Sequence, residues 1–103
     1  MKLLKPRKCA YIYILASKRN GTLYTGVTVD LLSRVREHKD DINEGFTKKY
    51  QVHILVYYEQ TESILTAIQR ERQIKKWKRN WKIELIEKYN PDWKDLYDEL
   101  IRE

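Results

Sequence analysis

Residues 11–28 read YIYILASKRNGTLYTGVT, and this stretch decides the fold. Tyr11 to Ala16 is rich in β-branched and aromatic residues and reads as a strand. Asn20-Gly21 is a strong turn signal, and Thr22 to Thr28 reads as the returning strand. Side chains on a strand alternate faces, and cross-strand partners share a face. A two-residue loop at Asn20-Gly21 would pair Arg19 with Thr22 and so set Tyr13 opposite Thr28. Tyr24 shares that face but sits four residues along the strand, roughly 13 Å away at about 3.4 Å per residue. Close contact between the two phenols therefore needs a wider loop or a bulge.

Outward from this hairpin, Asp30 is placed to cap a helix running to about Lys39, with Leu31, Leu32 and Val35 as its apolar stripe. Asp40 to Gln51 has no clear period and contains Gly45, so it reads as a loop with a basic, aromatic segment from Phe46 to Tyr50. His53 to Glu59 reads as a third strand. A second helix starts at Thr61 or Ser63 and runs to about Lys78. A third helical stretch spans Trp81 to Lys88 and breaks at Asn90-Pro91. Asp92 then caps a last helix with Trp93, Leu96, Tyr97, Leu100 and Ile101 at helical spacing. The order ββαβααα predicts an α+β domain: a small three-stranded antiparallel sheet flanked by helices. Residues 1–10 read as a flexible basic arm, and 11–103 as one domain with a core over 11–82 and a helical extension over 83–103.

At 103 residues the chain supports only a modest core, so its three Trp and eight Tyr must anchor much of it. The net charge of +6 and pI of about 9.4 favour a polyanionic partner, either nucleic acid or an acidic membrane face, and equally suit a solvated basic surface. The lone Cys9 excludes an intramolecular disulfide, and no Cys/His cluster has zinc spacing. A reducing, cytoplasmic setting fits. No apolar run approaches the roughly 20 residues of a membrane span. The basic N-terminus lacks the apolar stretch of a signal peptide.

Three features carry chemistry. Arg34 and His38 lie one turn apart on a helical face that borders the Leu31–Val35 stripe, while Arg36 points away. The rigid fork of Arg34 suits a phosphate; pairing with Asp30 at i−4 is the alternative. His38 is equally readable as a hydrogen-bonded histidine at the core edge. In the second helix Ile64, Ala67, Ile68 and Ile74 define the stripe, and Glu71 falls inside it. A buried carboxylate is costly unless it is paired or bound to a cation. Arg34, Lys75 at i+4 and a hard divalent ion each satisfy it. Finally, Lys75-Lys76-Trp77-Lys78-Arg79 and then Trp81-Lys82 interleave cations with aromatics, as nucleic-acid surfaces do. By spacing, Trp77 and Trp81 are core residues with solvated lysines between them.

Together these residues form an ordered set. Tyr11-Ile12-Tyr13 is followed by ten residues, then Tyr24-Thr25-Gly26, then Arg34 and His38 ten and fourteen residues after Tyr24, then Glu71. This set resembles the GIY-YIG endonuclease superfamily, in particular small stand-alone bacterial members similar to the N-terminal nuclease domain of the excision-repair subunit UvrC. The resemblance covers roughly Tyr11 to Lys82. The helix opening with Pro91-Asp92-Trp93 looks like an extension found in one branch of these proteins.

The resemblance implies a metal-dependent endonuclease that cleaves DNA to a 5′-phosphate and a 3′-hydroxyl, in repair or recombination. Tyr13 and Tyr24 would orient or deprotonate the attacking water, and which of them is the base stays open. Arg34 would stabilise the pentavalent phosphate. His38, at a position that is His or Tyr in the family, would assist proton transfer. Glu71 would hold a single Mg²⁺ or Mn²⁺. A tyrosine base implies activity that rises toward mildly alkaline pH. Lys48, Lys49, Lys75, Lys78 and Arg79 are the candidate nucleic-acid contacts. RNA is not excluded, and a nucleic-acid-binding module with little or no turnover is the alternative.

The chain departs from the family pattern at three places. Tyr11 stands where the motif has Gly, and Thr25 where it has Ile. Val27 stands where repair-type relatives have Lys, so that function is absent or supplied by Lys48 or Lys49. The family's late Asn is Asn80 or Asn90. With no helix-hairpin-helix or zinc finger, the expectation is no sequence specificity, or a protein partner that supplies it. The last amphipathic helix leaves monomer and weak dimer both open.

Overall fold

The computed structural model describes residues 9–41 and 45–102. The element order is β1 (Ala10–Ala16), β2 (Leu23–Thr28), α1 (Leu31–Lys39), α2 (Phe46–Lys49), β3 (Ile54–Thr61), α3 (Ile64–Lys76), α4 (Arg79–Tyr89) and α5 (Leu96–Ile101). The sheet is antiparallel with strand order β2-β1-β3, so the fold is α+β as expected. Most of the proposed arm, residues 1–8, lies outside the described residues, and β1 already begins at Ala10. The expected boundary between core and extension, at residue 82, falls inside α4.

β1 is central and covered on both faces, which is why its seven residues are apolar without alternation and all buried. Ile12 and Ile14 face α3, α4 and Trp93, packing with Ala67, Ile74 and Ile86. Tyr11, Tyr13 and Leu15 face α1 and α5, packing with Leu31, Val35, Tyr97 and Leu100. A register shift between Ile14 and Leu15 leaves Val56 as an extra residue in β3. This bulge lets Val56 and Tyr57 both join the α3/α4 side.

The hairpin differs from the expected two-residue loop. Ala16 pairs with Leu23 and Tyr13 with Gly26, so the loop runs over residues 17–22. Ser17 closes it, donating its N–H to the Thr22 carbonyl at 3.0 Å while its Oγ accepts from Thr22 N at 2.9 Å. The shift is two residues, an even number, so every side chain keeps its predicted face.

Five expectations for the helical segments are corrected. The segment expected to be a loop contains α2, whose N-cap is Gly45 at φ 129°, a conformation open to glycine alone. The second helix ends at Lys76, because Trp77 and Lys78 are extended before α4 starts. That break destroys the four-residue periodicity linking Trp77 to Trp81: Trp77 packs on the core, while Trp81 is exposed and touches Trp77 edge-on at 6.1 Å. Ile64, expected in the apolar stripe, is exposed. The last helix is capped by Asp95, not Asp92, since Trp93 takes φ 54° and cannot begin a helix there. Asp95 accepts from Tyr97 N at 3.1 Å and from Leu55 N at 3.2 Å, and pairs with Lys39, tying α5 to β3 and α1.

Candidate active site

The site starts from a glycine. Gly26 lies opposite Tyr13, and a Cβ there would stand 2.5 Å from both Cζ and Oη of the tyrosine. Only glycine lets the Tyr13 ring lie across β2. Tyr24, paired with Leu15, is the diagonal neighbour on the same face, and its ring centroid lies 6.2 Å from that of Tyr13. The wider loop thus supplies the contact that a two-residue loop denied.

α1 brings the third ring. Asp30 caps the helix through Ser33 N at 3.3 Å, and Ser33 Oγ donates back to Asp30 at 2.9 Å. His38, two turns on, is buried, with its ring 5.8 Å from Tyr13 and 5.5 Å from Tyr24. Its Nε2 is 3.0 Å from the Tyr13 hydroxyl and its Nδ1 is 2.9 Å from Thr47 Oγ1. Burial first, and the nearby Arg34 charge second, hold the His38 pKa below the ordinary value of 6.5. Burial, reinforced by the Tyr24 phenol, pushes the Tyr13 phenol well above its ordinary range, against the pull of Arg34. Both groups are therefore neutral near pH 7. A neutral imidazole has one donor and one acceptor nitrogen. In the tautomer that carries its proton on Nδ1, the imidazole donates to Thr47 and Nε2 accepts the Tyr13 proton.

Thr47 is the residue that sequence reasoning missed. It is buried on α2, and α2 itself was not foreseen. The only sequence signal was a Thr inside a basic, aromatic stretch.

Arg34 and Glu71 complete the surroundings. Arg34 is half-exposed and pairs with Glu37 at 3.6 Å, not with Asp30. Glu71 is mostly buried, its side chain 16% exposed, and Lys75 Nζ lies 3.3 Å away. Of the two side chains foreseen as partners for Glu71, Lys75 is the one in contact. Arg34 and Glu71 act on the Tyr13 phenol with opposite sign, so both lie within electrostatic reach of it. A groove of about 420 Å³ between β3, Tyr89 and α5 shares no residue with this cluster.

Of the candidate nucleic-acid contacts, Lys48 and Lys49 are exposed on α2, Lys49 over the Tyr50 ring, and Lys75, Lys78 and Arg79 are exposed around the α3–α4 corner. Arg79 donates to the carbonyls of Asn20 and Gly21 at 2.6 Å each, bracing the hairpin loop. Lys82 has its pKa lowered by burial first and by the charges of Arg79 and Lys75 second. Tyr11, in place of the motif's first Gly, is buried in the core, and burial with the Cys9 thiol pushes its pKa up to about 12. Val27 packs against the core on the α3/α4 side, the face opposite Tyr13. Asn90 is buried, its amide donating to Val56 O at 3.0 Å and Lys94 O at 2.9 Å while its Oδ1 accepts from Lys94 N at 3.0 Å. Asn80 is exposed on α4.

Residues 9–90 match the family model of the GIY-YIG catalytic domain. The chain belongs to the GIY-YIG family. A UPF0213 protein of Syntrophus aciditrophicus is 40% identical over 80% of this chain and 93% of its own length. A UPF0213 protein of Staphylococcus haemolyticus is 36% identical over 75% and 93%. The solution structure of a UPF0213 protein from Bacillus halodurans superposes with a TM-score of 0.53 at 25% identity, over 84% of this chain and 92% of that one. These relatives place the chain among small GIY-YIG proteins. The GIY-YIG domain points to nuclease chemistry on nucleic acid, and GIY-YIG nucleases generally use a divalent metal ion. Among the described residues no helix is long and apolar enough to cross a membrane.

Proposed function

We propose that this protein is a Mg²⁺- or Mn²⁺-dependent endonuclease that hydrolyses DNA phosphodiester bonds. The observation that carries the proposal is the buried Tyr13–His38–Thr47 hydrogen-bond chain, with Arg34 and Glu71 in reach of its phenol. In this reading the Tyr13 oxygen receives a proton from the attacking water while its own proton passes to His38 Nε2. The high Tyr13 pKa argues for this concerted relay rather than a standing phenolate. The water oxygen bonds phosphorus and the P–O3′ bond breaks, leaving a 5′-phosphate. The departing 3′-oxygen takes a proton from solvent. Arg34 holds the phosphate oxygens as negative charge develops on them. Tyr24 positions the water against the phosphate.

The donors suit a hard ion. Among the described residues no three His, Cys, Asp or Glu side chains converge, and Glu71 is the carboxylate that would hold the ion. Held by Glu71, it would supply positive charge to offset the charge that develops on the phosphate and the leaving oxygen. Lys48, Lys49, Lys75, Lys78 and Arg79 supply the cationic track for the backbone. A cytoplasmic setting and a role in repair or recombination belong to the same proposal.

The rival reading, a binding module without turnover, draws on Lys75 occupying the Glu71 carboxylate. One assay separates them: nicking of supercoiled plasmid with Mg²⁺ or Mn²⁺, comparing wild type with Glu71→Ala and Arg34→Ala. Metal-dependent nicking that both variants lose supports the enzyme. DNA binding without nicking by the wild type selects the module.

A further inference from the structure

The rings of the site do not stop at Tyr24. Phe46 continues them at 6.0 Å from Tyr24, and Tyr50 follows at 4.7 Å from Phe46. Both outer rings are 45% exposed, although burying an aromatic ring is among the larger gains available to so small a domain. Their direction is set from inside. Thr47 faces the core on the His38 imidazole, and its carbonyl accepts from Val52 N, a buried anchor, at 2.9 Å. With Thr47 turned in, Phe46 and Tyr50, at i and i+4, share the outward face. Lys49 Nζ lies 5.4 Å from the Tyr50 centroid, which adds a cation to the same surface.

An exposed pair of rings, tilted 45° to each other and flanked by lysines, offers a ring face to a nucleobase and a cation to the phosphate beside it, a contact that tolerates any base. A base inside a duplex is already stacked on its neighbours and has no free face to offer. We infer that the Phe46–Tyr50 rings form a stacking platform for an unpaired base beside the scissile phosphate, so that single-stranded or frayed DNA is the preferred substrate class. The inference rests on the reading of this cluster as a phosphodiester site. It assigns the substrate's structure, which that reading left open.

The test measures binding without cleavage. Full-length protein in EDTA is titrated into a labelled oligonucleotide, either single-stranded or as a blunt duplex, at one salt concentration, with fluorescence anisotropy as the readout. Wild type is expected to bind the single strand more tightly. Phe46→Leu and Tyr50→Leu each weaken single-strand binding by roughly tenfold and duplex binding by less than about twofold, while Tyr50→Phe keeps the ring and the affinity. Trp81→Leu, an exposed aromatic outside the ring chain, leaves the preference intact. Melting curves establish that each variant is folded. Equal losses on both substrates, no loss on either, an equal effect of Trp81→Leu, or a wild type without single-strand preference each overturn the platform. Plasmid nicking reports separately on hydrolysis. Ring-dependent single-strand binding without metal-dependent nicking keeps the platform and removes the hydrolase. Nicking without ring-dependent binding does the reverse.

Discussion

The Tyr13 hydroxyl and His38 Nε2 stand 3.0 Å apart, joined by a buried hydrogen bond across 25 residues of chain. The bond runs from the central strand to the second turn of α1 and continues through the imidazole to Thr47. Its two ends are tuned in opposite directions, the phenol upward and the imidazole downward. Each is therefore held neutral near pH 7, and in the proposed reaction the attacking water supplies the proton that replaces the one Tyr13 passes to His38.

Gly26 is the floor of this arrangement. A methyl at position 26 displaces a fully buried ring, because the Cβ would sit 2.5 Å from it. Gly26→Ala should cost about 1–3 kcal/mol of stability and roughly 100-fold in nicking rate, as Tyr13 leaves its alignment with His38. Thermal melting and plasmid nicking check this; a variant with wild-type nicking would show that the close approach is dispensable.

Thr47 should act through the histidine. Thr47→Val keeps shape and removes the acceptor for Nδ1–H, so nicking should fall about tenfold or more. Thr47→Ser should stay near wild type. The imidazole NMR signals of His38 should show a changed tautomer ratio in the Val variant only.

His38 also sets a pH dependence. Its folded pKa lies below the ordinary 6.5, so the unfolded chain binds the proton first as pH falls. The stability due to neutral His38 is complete above that ordinary value and is lost as pH drops from it through the folded value. The melting midpoint of wild type should therefore fall more steeply below about pH 6.5 than that of His38→Gln. Parallel curves for the two proteins would contradict a depressed His38.

Lys75 competes for the carboxylate proposed to hold the ion. Removing its charge in Lys75→Met should lower the Mg²⁺ concentration at half-maximal nicking several-fold, since Glu71 then has no competing cation at 3.3 Å. Glu71→Gln should reduce nicking by about two to three orders of magnitude at any Mg²⁺ level. An unchanged metal titration in Lys75→Met would remove Glu71 as the ion's anchor.

Asn90 is a structural residue in this account. Asn90→Ala strands the buried Val56 carbonyl and unties residues 90–94, at about 1–3 kcal/mol in chemical denaturation. The nicking rate per folded molecule should not change. A large loss of rate with intact stability would instead make Asn90 part of the site.

Local signals were legible wherever a residue's job depends on its neighbours in sequence. The β-branched run of β1, the Asp30 cap and the amphipathic stripe of α1 all read correctly, and of the two starts offered for the second helix Ser63 is the cap, because strand alternation and helix capping are decided within a few residues. Even the misjudged hairpin loop kept each side chain on its face, since the error was an even number of residues. The motif spacing also singles out Tyr13, Tyr24, Arg34, His38 and Glu71.

Other features depend on partners far along the chain. Trp81 turned outward because α3 breaks at Trp77, and the last helix began late because Trp93 took a left-handed turn to bury its indole. α2 has too short a run to declare itself, and it exists in a form that presents Thr47 to His38 and two rings to solvent. From the sequence alone came the sheet, its faces and the residues with reactive side chains. Only the tertiary structure decided which of them touch, because hydrogen bonds and ring contacts act over a few ångströms between segments that the chain holds 9 to 25 residues apart.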